Sequence, residues 1–325
     1  MRSGVRVSLV IPTLNAGAPL EEVLQAVDRQ PGAAELEKVA VDSGSTDDTV
    51  ARLKVHDFAV HHIQKRDFNH GTTRDLAISK TEGNVLLLLT QDATPLDENW
   101  LSALVACYED PAVGAAYCRQ VPREDCNPLI KQRILDWAAG RPQRVVQRLD
   151  DSSRFESMTP MERLRLCAYD NVAGSVRRTV WEQHKFGGRP FGEDVAFGKK
   201  LILTGRSIVY EPKSAVIHSH NRSPKAEGKR IYCDHLNLGE LFGLHMLPTW
   251  GHYRQAVRDS RKQFAAIVDG LDMPTAEKRA LHRWAKQYAE WSALGTYLGG
   301  NSDRLCTGIF GWLFRLVDRR LRKGI

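Results

Sequence analysis

The 325-residue chain predicts an α/β fold: a mostly parallel mixed sheet covered by helices, then a basic helical extension. Three observations carry that expectation. Strand-length apolar runs alternate with segments of helical period over roughly the first hundred residues, as in a parallel sheet covered on both faces. Among them Val85–Leu89 is continuously apolar, like a strand buried on both faces. Beyond Ser223 the pattern turns helical and stays so.

Each element follows from its own residues. "VRVSLVIPTLN" (5–15) reads as a first strand ended by Pro12. "PLEEVLQAVDRQ" (19–30) has apolar residues at 20, 23, 24 and 27, a helical period. "KVAVDSGSTDDTVARL" (38–53) is a strand, a small polar loop and a helix capped by Ser45 or Thr46, with Asp47 and Asp48 in its first turn. "FAVHHI" (58–63) is a further strand, and "GTTRDLAISKTEG" (71–83) a helix closed by Gly83. After strand 85–89 come a helix at 97–110, a strand at 115–122 and a helix at 129–139. Residues 140–165 are polar and Arg-rich, as in a mobile loop. "YDNVAGSVRRTVWEQH" (169–184) is strand, turn and helix, and "FGEDVAFGKKLILTG" (191–205) a loop and helix. "SIVYEP" and "SAVIHSHN" read as two separate strands. The expected division is residues 1–222 as the sheet domain and 223–325 as the helical region.

Composition narrows the function. The six cysteines are scattered without a C-x-x-C pair, which argues against a zinc pattern or a disulfide framework and for a reducing, cytoplasmic compartment. The amino-terminal apolar run is too short for a signal peptide, and no stretch approaches the ~20 apolar residues of a membrane span. The basic excess lies entirely in residues 221–325, with 18 Lys and Arg against 10 Asp and Glu. The basic residues there lie on an amphipathic stripe and are not interleaved with stacking aromatics, so nucleic acid is not the expected partner.

The chemistry-bearing residues sit at strand ends. Asp42 heads a Ser/Gly turn, where it either binds an imide N–H or a ribose hydroxyl, or forms an Asx-turn feeding the next helix. No G-x-G-x-x-G spacing accompanies it, which disfavours a dinucleotide fold. Asp92, delivered by the apolar run, suits a hard divalent cation that completes its shell with phosphate and water. His218 or His220 is a candidate second ligand, and a nitrogen donor favours manganese over a strictly oxygen-lined magnesium site. Glu193 and Asp194 stand together at a helix start, as capping acids or as a general base. Arg74 and His70 lie near a helix start that faces a diphosphate on this reading, while Lys65 and Arg66 read as solvated charge.

Taken in this order, "VSLVIPTLNA", "VDSGSTDDT", the Gly71-x-x-Arg74 helix, the acid after a central apolar strand and "GEDVAFG" resemble glycosyltransferase family 2. The resemblance covers roughly residues 5–220, and "FNHGTTRD", "LLLLTQDATP", "YCRQVP" and "VIHSH" look most like its bacterial rhamnosyltransferase branch. It implies a GT-A fold and an inverting transfer, assisted by Mg²⁺ or Mn²⁺, from dTDP-L-rhamnose to a hydroxyl of a glycan or lipid-linked glycan. It further implies donor contacts from Pro12, Asp42, Ser43, Gly71, Arg74, Gln91, Asp92 and Asn171, and acceptor contacts from Arg119 and Gln120. Asp92 with His218, or His220 as second choice, would hold the metal; Asp194 would be the base, and Glu193 would contact the acceptor or sugar. Two positions depart from the family pattern. The usual D-x-D reads Gln91-Asp92-Ala93, and an Arg-Asn pair reads Arg74-Asp75, whose extra charge should point away from the diphosphate.

Rival functions are a UDP- or GDP-sugar transferase, a sugar nucleotidyltransferase and a non-catalytic nucleotide-sugar-binding protein. A nucleotidyltransferase wants a basic Gly-rich triphosphate loop, and "IPTLNAGAPLEE" carries no base. Finally, "GIFGWLFRLVDRRLRKGI" (308–325) is amphipathic. It fits either an anionic membrane surface on the cytoplasmic face or packing against its own domain or a second copy of the chain.

Overall fold

A computed structural model describes residues 5–324. The chain forms two compact units. The first comprises Met1–Asp125, Arg133–Met158 and Glu162–Ser219; the second comprises Cys126–Gln132, Thr159–Met161 and His220–Ile325.

The elements run β1 (Val7–Thr13), α1 (Pro19–Asp28), β2 (Glu37–Asp42), α2 (Thr49–Val55), β3 (Ala59–His62), α3 (His70–Ile78), β4 (Val85–Leu89) and β5 (Thr94–Pro95). Then follow α4 (Trp100–Ala106), β6 (Val113–Val121), α5 (Pro128–Asp136), β7 (Val145–Gln147), α6 (Arg154–Ser157) and α7 (Pro160–Leu166). Next come β8 (Ala173–Arg177), α8 (Arg178–Gln183), α9 (Glu193–Leu203) and β9 (Ser207–Ile217). The helical unit carries α10 (Pro224–Phe242), α11 (Trp250–Asp269), α12 (Thr275–Gly300), α13 (Ser302–Thr307) and α14 (Gly311–Arg322).

The strands make one sheet in the order β3-β2-β1-β4-β8-β6-β9-β5, with β7 also beside β9. β1, β2, β3 and β4 are mutually parallel, and β8 runs antiparallel between β4 and β6. β4 is buried at every residue, as its apolar run requires. Leu9, Ile11, Leu20, Leu24, Leu53, Leu87 and Trp100 belong to one buried cluster that seats α1, α2 and α4 on the sheet.

Several local expectations are corrected. Pro12 does not end β1 but pairs with Val41 inside it, one residue from the strand's end, where one missing N–H is tolerated. The two strand pieces at 207–217 are one strand. A register shift, Cys118 opposite Glu211 but Arg119 opposite Ala215, absorbs Pro212 without ending the pairing. Helix α3 stops at Ile78 and not at Gly83, which instead lets the chain touch β1: a Cβ there would lie 2.3 Å from Ser8 Oγ. Neither Ser45 nor Thr46 caps α2; Asp47 does so in part by accepting the Thr49 N–H. Residues 140–165 contain β7, α6 and most of α7.

In the helical unit, Ser223 caps α10 through the Ala226 N–H, and Gly243 ends it in the left-handed region. α10 and α12 approach backbone to backbone: a Cβ on Gly295 would lie 2.3 Å from Gly228 O, and one on Gly299 2.4 Å from Tyr232 O. Among the described residues, no helix is long and apolar enough to cross a membrane.

Candidate active site

Strand direction assembles the site. With β8 antiparallel between two parallel sets, the carboxyl ends of β1, β2, β4, β6 and β9 share one rim with the amino end of β8. Ligands of open α/β sheets bind at such a rim. Asp42, Gln91, Asp92, Gln120, Asp170, Asn171 and His218 all lie there.

Asp42, 1% exposed, uses its carboxylate on its own turn. Oδ2 accepts the N–H groups of Gly44 (3.0 Å) and Ser45 (2.9 Å), and Oδ1 accepts the hydroxyls of Ser45 and Thr13. Burial pushes this carboxyl up, but the hydrogen bonds from Ser45, Gly44 and Thr13 outweigh it and hold the group below its ordinary value. Of the two readings of Asp42, the Asx-turn describes its contacts. Ser43 beside it is fully buried, and its N–H donates to Thr13 O (2.9 Å). Across the next strand gap, Gln91 clamps the end of β1, accepting the Leu14 N–H (2.8 Å) and donating to Leu14 O (3.2 Å). Its neutral amide occupies the place of the missing acid because it serves β1.

Asp92 meets His218, with Oδ1 3.7 Å from Nε2. The other ring nitrogen, Nδ1, lies 2.9 Å from Gln120 Oε1, while Gln120 Nε2 donates to the Asp170 carboxylate. That donation fixes which end of the amide faces the ring. An amide oxygen accepts, so Nδ1 carries the proton it shares with Gln120, and Nε2 is the nitrogen turned toward Asp92. A carboxylate oxygen and an imidazole nitrogen, each about 2.1 Å from one divalent ion, stand roughly 3–3.6 Å apart, close to the observed spacing. The pair therefore fits a metal. His220, two residues on, is the first residue of the helical unit.

Gln120's neighbour Arg119 projects to the opposite face, as strand alternation demands. It lines a cavity of about 620 Å³ with Leu96, Asn99, Ser102, Pro212 and Lys213. The structure thus separates the two expected acceptor-side residues: Gln120 joins the rim and Arg119 does not.

The second half of the site is a nest of acids around one cation. Arg74, 3% exposed, donates from Nη1 to Glu193 Oε1 (2.7 Å) and to His70 O (3.2 Å), and from Nη2 to Asn171 O (3.4 Å). Asn171 also reaches Glu193 Oε1 (3.5 Å). Arg74 and Glu193 are thus engaged with each other. Asp194, at the start of α9, accepts the Val195 N–H (2.8 Å). Burial, then the charges of Glu193 and Asp170, push the Asp194 carboxyl well above its ordinary value. Asp170 is likewise raised, chiefly by burial, against the Val172 N–H, Arg74 and Gln120.

The loop before α9 is pinned to α3. Asp75 accepts the Trp181 indole N–H (2.8 Å) and the Phe186 and Gly187 N–H groups (3.2 and 2.9 Å), so its charge is spent away from the rim. Gly71 allows the contact: a Cβ there would lie 2.0 Å from Gly187 O. Asp170 went unnoticed in the sequence because it precedes a strand, and only an antiparallel strand brings its amino end to this rim. The polar pair Asp170-Asn171 ahead of "VAGSVR" was the available signal.

Comparison with known proteins bears on the family and the fold. The model of glycosyl transferase family 2 matches residues 8–165. The chain is 32% identical over 237 residues to the O-antigen chain rhamnosyltransferase RfbN of Salmonella typhimurium, covering 70% of this chain and 71% of that one. Among solved structures, S. aureus TarS 1-349 aligns with TM-score 0.53 at 14% identity, covering 98% of this chain and 80% of that one. Glucosyl-3-phosphoglycerate synthase from Mycobacterium tuberculosis, solved with Mn²⁺, UDP-glucose and phosphoglyceric acid, aligns with TM-score 0.51 at 18% identity, covering 77% and 83%. The fold is GT-A, and the protein is a glycosyltransferase. The chain belongs to glycosyltransferase family 2.

Proposed function

We propose that the protein is an inverting rhamnosyltransferase that moves L-rhamnose from dTDP-L-rhamnose to a hydroxyl of a glycan or lipid-linked glycan at the cytoplasmic face. The observation that carries the chemistry is the convergence, on one sheet rim, of the Asp92–His218 pair and the buried Asp194. Gln120 and Asp170 link the two halves. Support for the sugar comes from the likeness to RfbN, an O-antigen chain rhamnosyltransferase. On this reading, residues 1–222 carry the transfer and residues 223–325 serve the protein's placement.

Asp92 and His218 would hold a divalent cation, with His220 the alternative nitrogen donor. When bound, the ion offsets the charge that grows on the departing diphosphate. The chain's own residues do the rest. The Asp42 turn and the Gln91 clamp shape the donor floor beside Pro12 and Ser43. Asp194 takes the proton of the acceptor hydroxyl as its oxygen attacks the anomeric carbon from the face opposite the diphosphate. The carbon–oxygen bond to the diphosphate breaks, and the new glycosidic bond has inverted configuration. A raised carboxyl pKa suits Asp194 to this task, because a base near the working pH accepts a proton readily. Arg74 holds Glu193 in place, so Glu193 acts by positioning the start of α9 and offers its remaining oxygen to the sugar or acceptor.

Incubation with a panel of nucleotide sugars and Mg²⁺ or Mn²⁺ tests the reading. Nucleoside-diphosphate release and stabilisation against heat are expected with dTDP-L-rhamnose above all others. Turnover confined to a UDP- or GDP-sugar would replace the donor, and retention of anomeric configuration in the product would refute the mechanism.

A further inference from the structure

The last helix turns the usual amphipathic arrangement around. In α14 it is polar groups that face the helical unit: Asp318 accepts the Tyr232 hydroxyl of α10 and the Arg322 Nε–H (2.6 Å), and Arg315 donates to Cys306 O (3.0 Å). Lys229 of α10 donates to Lys323 O. Phe314 and Leu321 are half-buried beside them, and the remaining apolar residues face water. Ile309 is 93% exposed, Phe310 71% and Trp312 61%, and Leu313, Leu316 and Val317 are each more than a third exposed. Within α14, positions 312–313 and 316–317 recur at helical spacing and form one stripe, and Ile309 and Phe310 precede it in the turn before the helix. An apolar stripe of this extent turned to water marks an interaction surface.

Charge decides what covers it. From residue 309 onward the chain carries Arg315, Arg319, Arg320, Arg322 and Lys323 against the single acid Asp318, which is already engaged with Tyr232 and Arg322. A second copy of the chain meeting this stripe across a two-fold axis would bring Arg319 and Arg320, which continue the stripe at helical spacing, to the same face from both copies, and the copies would repel. An anionic bilayer complements both features. The stripe enters the headgroup–acyl boundary, Trp312 sits where indole rings favour the interface, and the basic residues meet lipid phosphates. At twelve residues the helix is too short to span, so it lies in the plane of the surface.

We propose that the exposed apolar stripe of α14, with its flanking arginines, is a docking surface for an anionic phospholipid membrane. The inference does not depend on which sugar is transferred. The full chain is to be mixed with phosphatidylcholine vesicles, with and without one third phosphatidylglycerol, and its partitioning measured by flotation. The protein should partition onto anionic vesicles and far less onto neutral ones. Leu313→Ser/Leu316→Ser/Val317→Ser should weaken partitioning about tenfold or more, and Arg319→Glu/Arg320→Glu should abolish the preference for anionic lipid. Both variants should melt like the parent, since the altered side chains are exposed. Absence of partitioning by the parent, or equal partitioning by the serine variant, overturns the proposal. So does a dimer that sediments as one species and is lost in the serine variant while vesicle binding is nil.

Discussion

The rim of the sheet and the α10–α12 helix pair are built on opposite terms. At the rim, Asp170, Glu193 and Asp194 crowd around the single guanidinium of Arg74, and burial raises two of those acids above their ordinary values. In the helix pair, glycines at 228, 295 and 299 let two backbones touch, and His235 is buried with no hydrogen-bond partner for Nδ1 among the described residues. The rim carries a standing electrostatic penalty at the proposed site of chemistry. The helix pair hides a desolvated imidazole in a packing interface. Crowded like charges mark a place kept for function, whereas a lone desolvated imidazole marks a place where packing won.

That contrast breaks most sharply at Asp194. Asp194→Asn should lower the transfer rate by about 10²–10⁴-fold while leaving donor binding intact, read by nucleoside-diphosphate release and by donor titration. The same change should raise the melting temperature at alkaline pH. A raised carboxyl holds its proton in the folded state, so the parent loses stability as pH climbs through that raised value, and asparagine has no such charge to bury. Transfer by the parent should fall on the acid side at a pH above the usual carboxylate range. A variant that transfers normally, or is destabilised at every pH, would place the rim on the same footing as the helix pair.

His235 tests the other region. Burial lowers its imidazole from 6.5 to about 4. The folded state therefore keeps it neutral, while the unfolded chain takes up a proton below 6.5. This stabilising preference is fully present above that pH and is lost progressively as pH falls toward 4, with a limit of roughly 3 kcal/mol. Chemical denaturation of the parent and of His235→Leu between pH 4 and 7.5 should show a steeper acid loss in the parent. Parallel curves would mean that the histidine is not desolvated.

These two regions were unequally legible in the sequence. The sheet followed from apolar period, and its rim from strands ending in Asp42, Asp92 and His218. The Pro12 position and the continuous β9 did not, because a proline at a strand end and one inside a bulge look like punctuation until the register is known. Arg74 read as a phosphate ligand because its partner Glu193 lies 119 residues away and no local pattern couples them. Gln120 read as an acceptor contact, because its place between His218 and Asp170 depends on a carboxylate delivered by an antiparallel strand. The outward stripe of α14 was visible as amphipathicity, but which side faced the protein was not.

The smallest expected effect sharpens the account of the rim itself. Gln120 touches Asp170 on one side and His218 Nδ1 on the other, so its amide decides which imidazole nitrogen faces Asp92. Replacing it by methionine keeps the length and removes both hydrogen bonds. The ring then loses the acceptor that holds the Nδ1–H form, and part of the population presents Nε2–H toward Asp92. Mn²⁺ affinity should drop by about 10–100-fold, read by electron paramagnetic resonance without donor, and nitrogen NMR of the metal-free protein should show the His218 tautomer redistributed. Because both readings precede catalysis, they separate a positioning role from a contact with the acceptor. An acceptor-side Gln120 would leave metal affinity and tautomer untouched and raise only the acceptor KM. Reduced affinity with an unchanged tautomer would trace the effect to Asp170 instead, whose carboxylate loses a hydrogen-bond donor.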